Sequence, residues 1–315
     1  MEVEIEPSIR GKDVFLFANA ARNAAGLGVE ESKIEMYHAV DALRRAQARR
    51  IIVFEPYCSC GRSDRTTRRN SVGLFVHYKT LMSLGVDHIL TYQLHSDKSR
   101  TMVDPSVCAI DDIPGVGMLK QHLCDTLIKS RDYLRNVVRK DWLFCSVDAG
   151  GEGIARRFAA SFGAQLVIAH KQRDYRSANT VAAINILSAT TLRDKTVWVV
   201  DDMIDTAGSV HALVEELAGR GVKSVNLAAV HAVLSPPAPE RIAELVDQGL
   251  VDNIFVSDTV ASPDVLRGLV PSLHVVSSAE QSASIISSVH QERPLSRFFE
   301  PFDAEEYLAS LKLFF

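Results

Sequence analysis

The chain of 315 residues is 47% hydrophobic and 23% charged, which gives apolar material for a sizeable core and, by length, for about two domains. A formal net charge of -4 argues against a nucleic-acid backbone as the main partner, because that partner calls for a basic face. Five cysteines, an odd number in so long a chain, do not make a disulfide framework and fit a reducing, cytoplasmic compartment.

From the start, Met1-Glu2-Val3-Glu4-Ile5-Glu6 is acidic and alternating, unlike a signal peptide, and no apolar run is long enough to span a membrane. Residues 14–17 read as a strand, 31–49 as a helix carrying Ile34, Val40 and Leu43, and 51–54 as a second strand. Cys58 and Cys60 follow, one residue apart and without a second pair at zinc-site spacing, so they read as structural or incidental. Arg62, Arg65, Arg68 and Arg69 then make a local cationic loop suited to a polyphosphate, the alternative being a solvated loop. A helix over 71–84 and a strand over 88–94 lead to His95, which stands at a strand end either as a metal ligand or as a satisfied polar residue.

The pattern restarts after Pro114 with a helix within 119–138, strand 142–147, helix 153–162, strand 165–169, a central strand at 197–200 and a strand at 224–233. Strands alternating with helices predict two α/β domains with mainly parallel sheets, over 1–112 and 113–297. Strand 142–147 ends at Asp148, followed by Gly150 and Gly151. The glycines permit close backbone approach to an anion, and a carboxylate suits a hard cation. Strand 165–169 ends at a polar loop opening with Lys171 and Arg173, cations that would close over a site and stabilise a transferring phosphoryl group. An apolar tail with Phe298, Phe299, Phe302, Tyr307, Leu308, Leu311, Leu313, Phe314 and Phe315 is expected to pack on the first domain or on a neighbouring subunit.

The stretch TVWVVDDMIDTAGS, 196–209, is the chemical centre. A β-branched and aromatic strand ends in Asp201, Asp202 and Asp205. Thr206, Ala207, Gly208 and Ser209 then turn into the apolar-periodic helix of Val210, Leu213, Val214 and Leu217. A strand, a tight turn and a helix N-terminus make an anion site, and carboxylates just before it suit sugar hydroxyls.

The run VVDDMIDTAGS resembles the ribose-5-phosphate-binding motif of phosphoribosyltransferases and phosphoribosyl-pyrophosphate synthetases. Together with Ile9-Arg10-Gly11, the string Val40 to Ala46, the strand end at Thr91 to His95 and Ser146 to Gly151, it makes nearly the whole chain resemble the ribose-phosphate diphosphokinase (phosphoribosyl-pyrophosphate synthetase) family. The resemblance implies two tandem type I phosphoribosyltransferase-like domains, an active site between them and next to a neighbouring subunit, and therefore a homo-oligomer. It implies transfer of the β,γ-diphosphate of ATP to the anomeric hydroxyl of ribose 5-phosphate, releasing AMP. By matching position, Asp205 to Ser209 would hold the 5-phosphate, Asp201 and Asp202 the ribose hydroxyls, and His95 and Asp148 magnesium. Gly150 and Gly151 would lie in the diphosphate loop, Arg62, Ser63 and Arg65 in the ATP-contacting segment, and Lys171 and Arg173 would stabilise the transition state.

Four departures accompany the resemblance. The family's further N-terminal segment, with a Phe, Asp and Glu loop that clamps adenine, has no counterpart ahead of Met1. Ser63 stands where the family has Gln, Gln93 where it has Asp, and the tail runs past the family's usual end. A larger acceptor such as ADP-ribose, a catalytically silent synthetase-associated subunit and a phosphoribosyltransferase are the alternative readings.

Overall fold

A computed structural model describes residues 2–21, 27–66, 68–173, 181–260 and 263–311. The chain divides into two compact units. The first comprises Met1–Gly115, Thr259–Ala261 and Ala279–Phe299; the second comprises Val116–Asp258, Ser262–Ser278 and Glu300–Phe315.

The first unit is built on four parallel strands in the order β1 (Asp13–Phe17), β2 (Arg50–Glu55), β3 (His88–Tyr92) and β4 (Ala109–Ile113). Ile51, Ile52, Val53 and Phe54 of β2 are all buried, as expected for a parallel strand covered on both faces. Helices Val29–Arg45 and Gly73–Ser83 supply Met36, Val40, Leu43, Leu74, Tyr78 and Leu81 to the same core. At the amino ends of the strands Asp13 accepts hydrogen bonds from Arg49 and Arg50, which hold its carboxyl far below the usual carboxylate range. β4 is an element the sequence reading missed, because its two aspartates break the apolar pattern. They are used locally: His88 pairs with Asp111 at 2.8 Å, and Asp112 accepts the Leu94 N–H at 2.9 Å. Helix Ala279–His290 also joins this unit, with Tyr92 hydroxyl 2.9 Å from Ser282 Oγ.

The second unit carries a seven-stranded sheet. Its strands are β5 (Trp142–Ser146), β6 (Gln165–Arg173), β7 (Val181–Ser188), β8 (Thr196–Ile204), β9 (Ser224–Ala232), β10 (Val251–Ser257) and β11 (Leu273–Val276), in the order β11-β10-β9-β8-β5-β6-β7. All pairs are parallel except β6 with β7. Val197, Trp198, Val199 and Val200 are buried on both faces of central β8, and each such side chain contributes roughly 1.5–3 kcal/mol.

Three expectations change here. β8 does not end at Val200 but continues through Asp201 and Asp202, because β9 continues beside it and pairs Asp201 with Ala229 and Met203 with His231. β6 does not end at Ala169: its backbone runs on to Arg173 and pairs with β7, Lys171 opposite Ile184. Lys171 and Arg173 therefore stand on a β-hairpin strand, not at the start of a loop, and Tyr175, Arg176 and Ser177 lie outside the described residues. The helix expected within 119–138 is two, broken at Lys129, which has φ 55°, and restarted by Ser130, whose Oγ accepts the Tyr133 N–H.

The expected tail divides between the units: Phe298 and Phe299 belong to the first. Residues from Glu300 onward belong to the second unit, and helix Ala304–Leu311 buries Ala304 and Leu308 there. Phe302 lies 6.3 Å from the Phe162 ring, Tyr307 hydroxyl donates to Asp125 at 2.8 Å, and Glu305 is clasped by Arg131, Arg135 and Arg139. Three arginines facing one carboxylate explain the choice of surface. Leu313, Phe314 and Phe315 lie outside the described residues.

Candidate active site

In the second unit, adjacent strands β6, β5 and β8 bring their carboxyl-terminal segments to one edge of the sheet, where ligands bind in open α/β sheets. Beyond β5, Asp148 Oδ1 accepts the backbone N–H of Gly150 at 2.8 Å and of Gly151 at 3.2 Å, folding the loop around the carboxylate. Gly151 in turn lies against β8: a Cβ there would stand 3.3 Å from Asp201 Oδ1. A side chain larger than hydrogen would fill the space between the two strand ends.

Asp201 Oδ1 accepts the Asp202 N–H at 2.9 Å. Burial, with the charges of Asp202 and Asp148 close by, pushes the Asp201 carboxyl well above its ordinary range. Asp148, Asp201 and Asp202 are thus brought together, and their mutual repulsion is what a hard cation or a hydrogen-bonding sugar relieves. Carboxylate oxygens such as those of Asp148 are the donor type that suits magnesium.

Past β8, Asp205 is half-buried, Thr206 exposed and Ala207 buried in a left-handed conformation, φ 57°. Ala207 is the N-cap of helix Gly208–Gly219, and its methyl side chain makes no cap hydrogen bond. Its first N–H groups are therefore directed at the loop, the arrangement that binds phosphate. Arg241, from helix Ala238–Asp247, donates to the Thr206 carbonyl at 2.9 Å, and a Cβ at Gly208 would stand 3.1 Å from its Nη1. Sequence reading missed this cation because it reaches the loop from 35 residues away, and nothing in its own segment marks it.

In the first unit, Arg62, Ser63 and Arg65 lie in the loop after β2, and His95 follows the neighbouring strand β3. Arg62, Arg65 and His95 are exposed. A Cβ at Gly61 would stand 3.9 Å from His95 Cβ, so the arginine loop and the histidine are neighbours. Ser63 anchors the loop: its N–H donates to the Cys60 carbonyl at 2.8 Å, its Oγ accepts the Gly73 N–H at 2.9 Å, and its carbonyl accepts from Leu74. Gln93, at φ 45°, donates its N–H to the Ile113 carbonyl at 3.0 Å and fixes the start of the His95 segment against β4.

Residues 1–85 match the family model for the N-terminal domain of ribose phosphate pyrophosphokinase, and residues 116–258 match that for the phosphoribosyl transferase domain. The chain is 30% identical over 303 residues to ribose-phosphate pyrophosphokinase 1 of Streptococcus pneumoniae, a match covering 95% of this chain and 86% of that one. The chain belongs to the ribose-phosphate pyrophosphokinase family. The pyrophosphokinase of Campylobacter jejuni is likewise 30% identical over 300 residues, covering 95% of this chain and 87% of its own. In solved structures, phosphoribosylpyrophosphate synthetase from Mycobacterium smegmatis superposes with a TM-score of 0.77 at 26% identity, over 92% of this chain and 86% of that one. The chain is accordingly an enzyme of the diphosphotransferase class, with two phosphoribosyltransferase-like domains. Among the described residues no helix is long and apolar enough to cross a membrane.

Proposed function

We propose that this enzyme makes 5-phosphoribosyl 1-diphosphate by magnesium-dependent transfer of the β,γ-diphosphate of ATP to the anomeric hydroxyl of ribose 5-phosphate, releasing AMP. The observation that carries the reading is the helix N-terminus at Gly208, set beyond Asp201 and Asp202 of β8, with Asp148 past the end of adjacent β5. A phosphate site joined to a carboxylate cluster matches a sugar phosphate at both of its ends.

In this reading Asp205, Thr206, Ala207, Gly208 and Ser209 bind the 5-phosphate, and Arg241 braces their loop through the Thr206 carbonyl. Asp201 and Asp202 orient the ribose hydroxyls. Arg62, Ser63 and Arg65 form the ATP-contacting segment, with the arginines suited to phosphate oxygens, while Gly150 and Gly151 allow the diphosphate to approach the backbone. By their motif positions His95 in the first unit and Asp148 in the second are each assigned to magnesium, which would draw charge from phosphate oxygens. The anomeric oxygen forms a bond to the β-phosphorus as the α–β anhydride bond breaks; the hydroxyl proton is lost to solvent and AMP leaves. Lys171 and Arg173 neutralise charge developing on the transferred group, so positioning and electrostatics carry the catalysis. The reading includes a cytoplasmic homo-oligomer.

ATP labelled at its β-phosphorus tests the reaction type. Label in the sugar product, with unlabelled AMP, is the expected result. Label retained in ADP would mean γ-phosphoryl transfer and would overturn the reading.

A further inference from the structure

The loop after β2 turns Cys58 and Cys60 into the core of the first unit, where they are 4% and 8% exposed. Their sulfurs stand 3.8 Å apart. Two thiolates each about 2.3 Å from one tetrahedral zinc ion are also about 3.8 Å apart, so the pair is already spaced to share an ion. His77, on helix Gly73–Ser83 and 1% exposed, completes a cluster in which one ligand atom from each of the three residues lies within 4.8 Å of the others. Sequence spacing could not reveal this, because the third ligand comes from the next helix.

The surroundings have the composition of a closed metal site. Glu55, fully buried at the end of β2, lies with Oε2 3.0 Å from His77 Nε2, while its Oε1 has no hydrogen-bond partner. The other ring nitrogen, Nδ1, is 2.8 Å from the Tyr37 hydroxyl, the kind of outer contact that fixes the orientation of a ligating imidazole. Lys33, also buried, is close enough to Cys60 and Glu55 to act on their charge. Two thiolates, one carboxylate, one ammonium and a divalent cation sum to zero, which is the condition for burying them together.

We propose that Cys58, Cys60 and His77 bind a structural zinc ion, with Glu55 beside the site balancing its charge and Tyr37 holding the imidazole through Nδ1. Binding releases the two thiol protons, and zinc undergoes no redox change. The ion ties the end of β2 and the root of the Arg62–Arg65 loop to helix Gly73–Ser83. This site is independent of the diphosphotransfer reading and stands or falls by its own measurement.

The full chain is prepared free of metal, loaded with zinc, dialysed, and assayed for metal by mass spectrometry; a parallel sample is loaded with cobalt(II) and its absorption recorded. One retained zinc per chain and a thiolate-to-cobalt charge-transfer band are the expected results. Cys60→Ser and His77→Ala lose both, Tyr37→Phe binds zinc about tenfold more weakly, and Cys145→Ser, altered in the second unit, keeps both. A folded wild-type chain that retains no zinc and shows no such band overturns the proposal without reference to any variant. Zinc retained unchanged by Cys60→Ser overturns it as well. So does mass loss of two hydrogens on mild oxidation in a chain that binds no zinc, which would make the pair a disulfide couple.

Discussion

In the proposed reading, Asp205, Arg241 and Lys171 carry separable parts of the chemistry. Asp205 borders the helix start, so Asp205→Ala is expected to raise KM for ribose 5-phosphate about tenfold or more, with a smaller change in kcat; an unchanged KM would count against the phosphate site. Arg241→Ala removes the donor to the Thr206 carbonyl and should shift the same KM in the same direction, although Arg241 is assigned no contact with the sugar ring. Lys171→Ala should instead lower kcat by roughly 10²–10³, the cost of removing one transition-state donor, with circular dichroism unchanged. Near-normal turnover would refute that assignment. At this scale the contiguous motif from Asp201 to Ser209 was legible, since strand, turn and helix start follow one another in the chain. Arg241 and the meeting of Cys58 and Cys60 with His77 were not, because each depends on a partner brought in by the fold.

Among the elements, the buried parallel strands were readable from their unbroken apolar runs, as in Ile51 to Phe54 and Val197 to Val200. Element ends were less so: pairing with a neighbour carries β8 past Val200 into the aspartates and β6 through Lys171 to Arg173, and pairing is not written in either segment alone. Of the tail, Phe298 and Phe299 belong to the first unit, while from Glu300 onward it lies with the second, where Phe302 meets Phe162 and Glu305 meets three arginines. Arg135 foremost, then Arg131 and Arg139, hold the Glu305 carboxyl down at about 2 against an ordinary 4.5. A lowered folded-state value gives stabilisation that is present above about pH 4.5 and lost as the pH falls toward 2. Acid titration followed by near-ultraviolet circular dichroism should therefore show a loss in that window that is weaker in Glu305→Gln; identical profiles would contradict the clasp. Lys120 behaves in the opposite sense. Burial pulls its ammonium down to about 8 from 10.5, although Nζ donates to the Arg157 carbonyl and Ser161 Oγ. Ser161 keeps its own bond to the Arg157 carbonyl, so Lys120→Met leaves no orphan and should stabilise the fold at pH 7 by on the order of 2 kcal/mol. The wild type gains stability as pH rises from about 8 toward 10.5, so the advantage should narrow there. A difference that stays constant with pH would contradict burial as the cause.

At the scale of the molecule, the alternation of strands and helices was enough to read two α/β domains, and the family models fall on the corresponding stretches 1–85 and 116–258. What the pattern did not show is that the two compact units exchange chain near the C-terminus, Ala279–Phe299 going to the first and Glu300 onward to the second. Such returns rest on contacts such as Tyr92 with Ser282 and Phe162 with Phe302, which have no local sequence signature. Family membership, together with a helix start suited to an anion beside a carboxylate cluster, supports ribose 5-phosphate as the acceptor. The most direct test is AMP release from ATP and magnesium with ribose 5-phosphate and ADP-ribose as separate acceptors, each product identified by mass. AMP in step with 5-phosphoribosyl 1-diphosphate is expected from ribose 5-phosphate. No AMP from ribose 5-phosphate in a folded protein, or product from ADP-ribose alone, would contradict it.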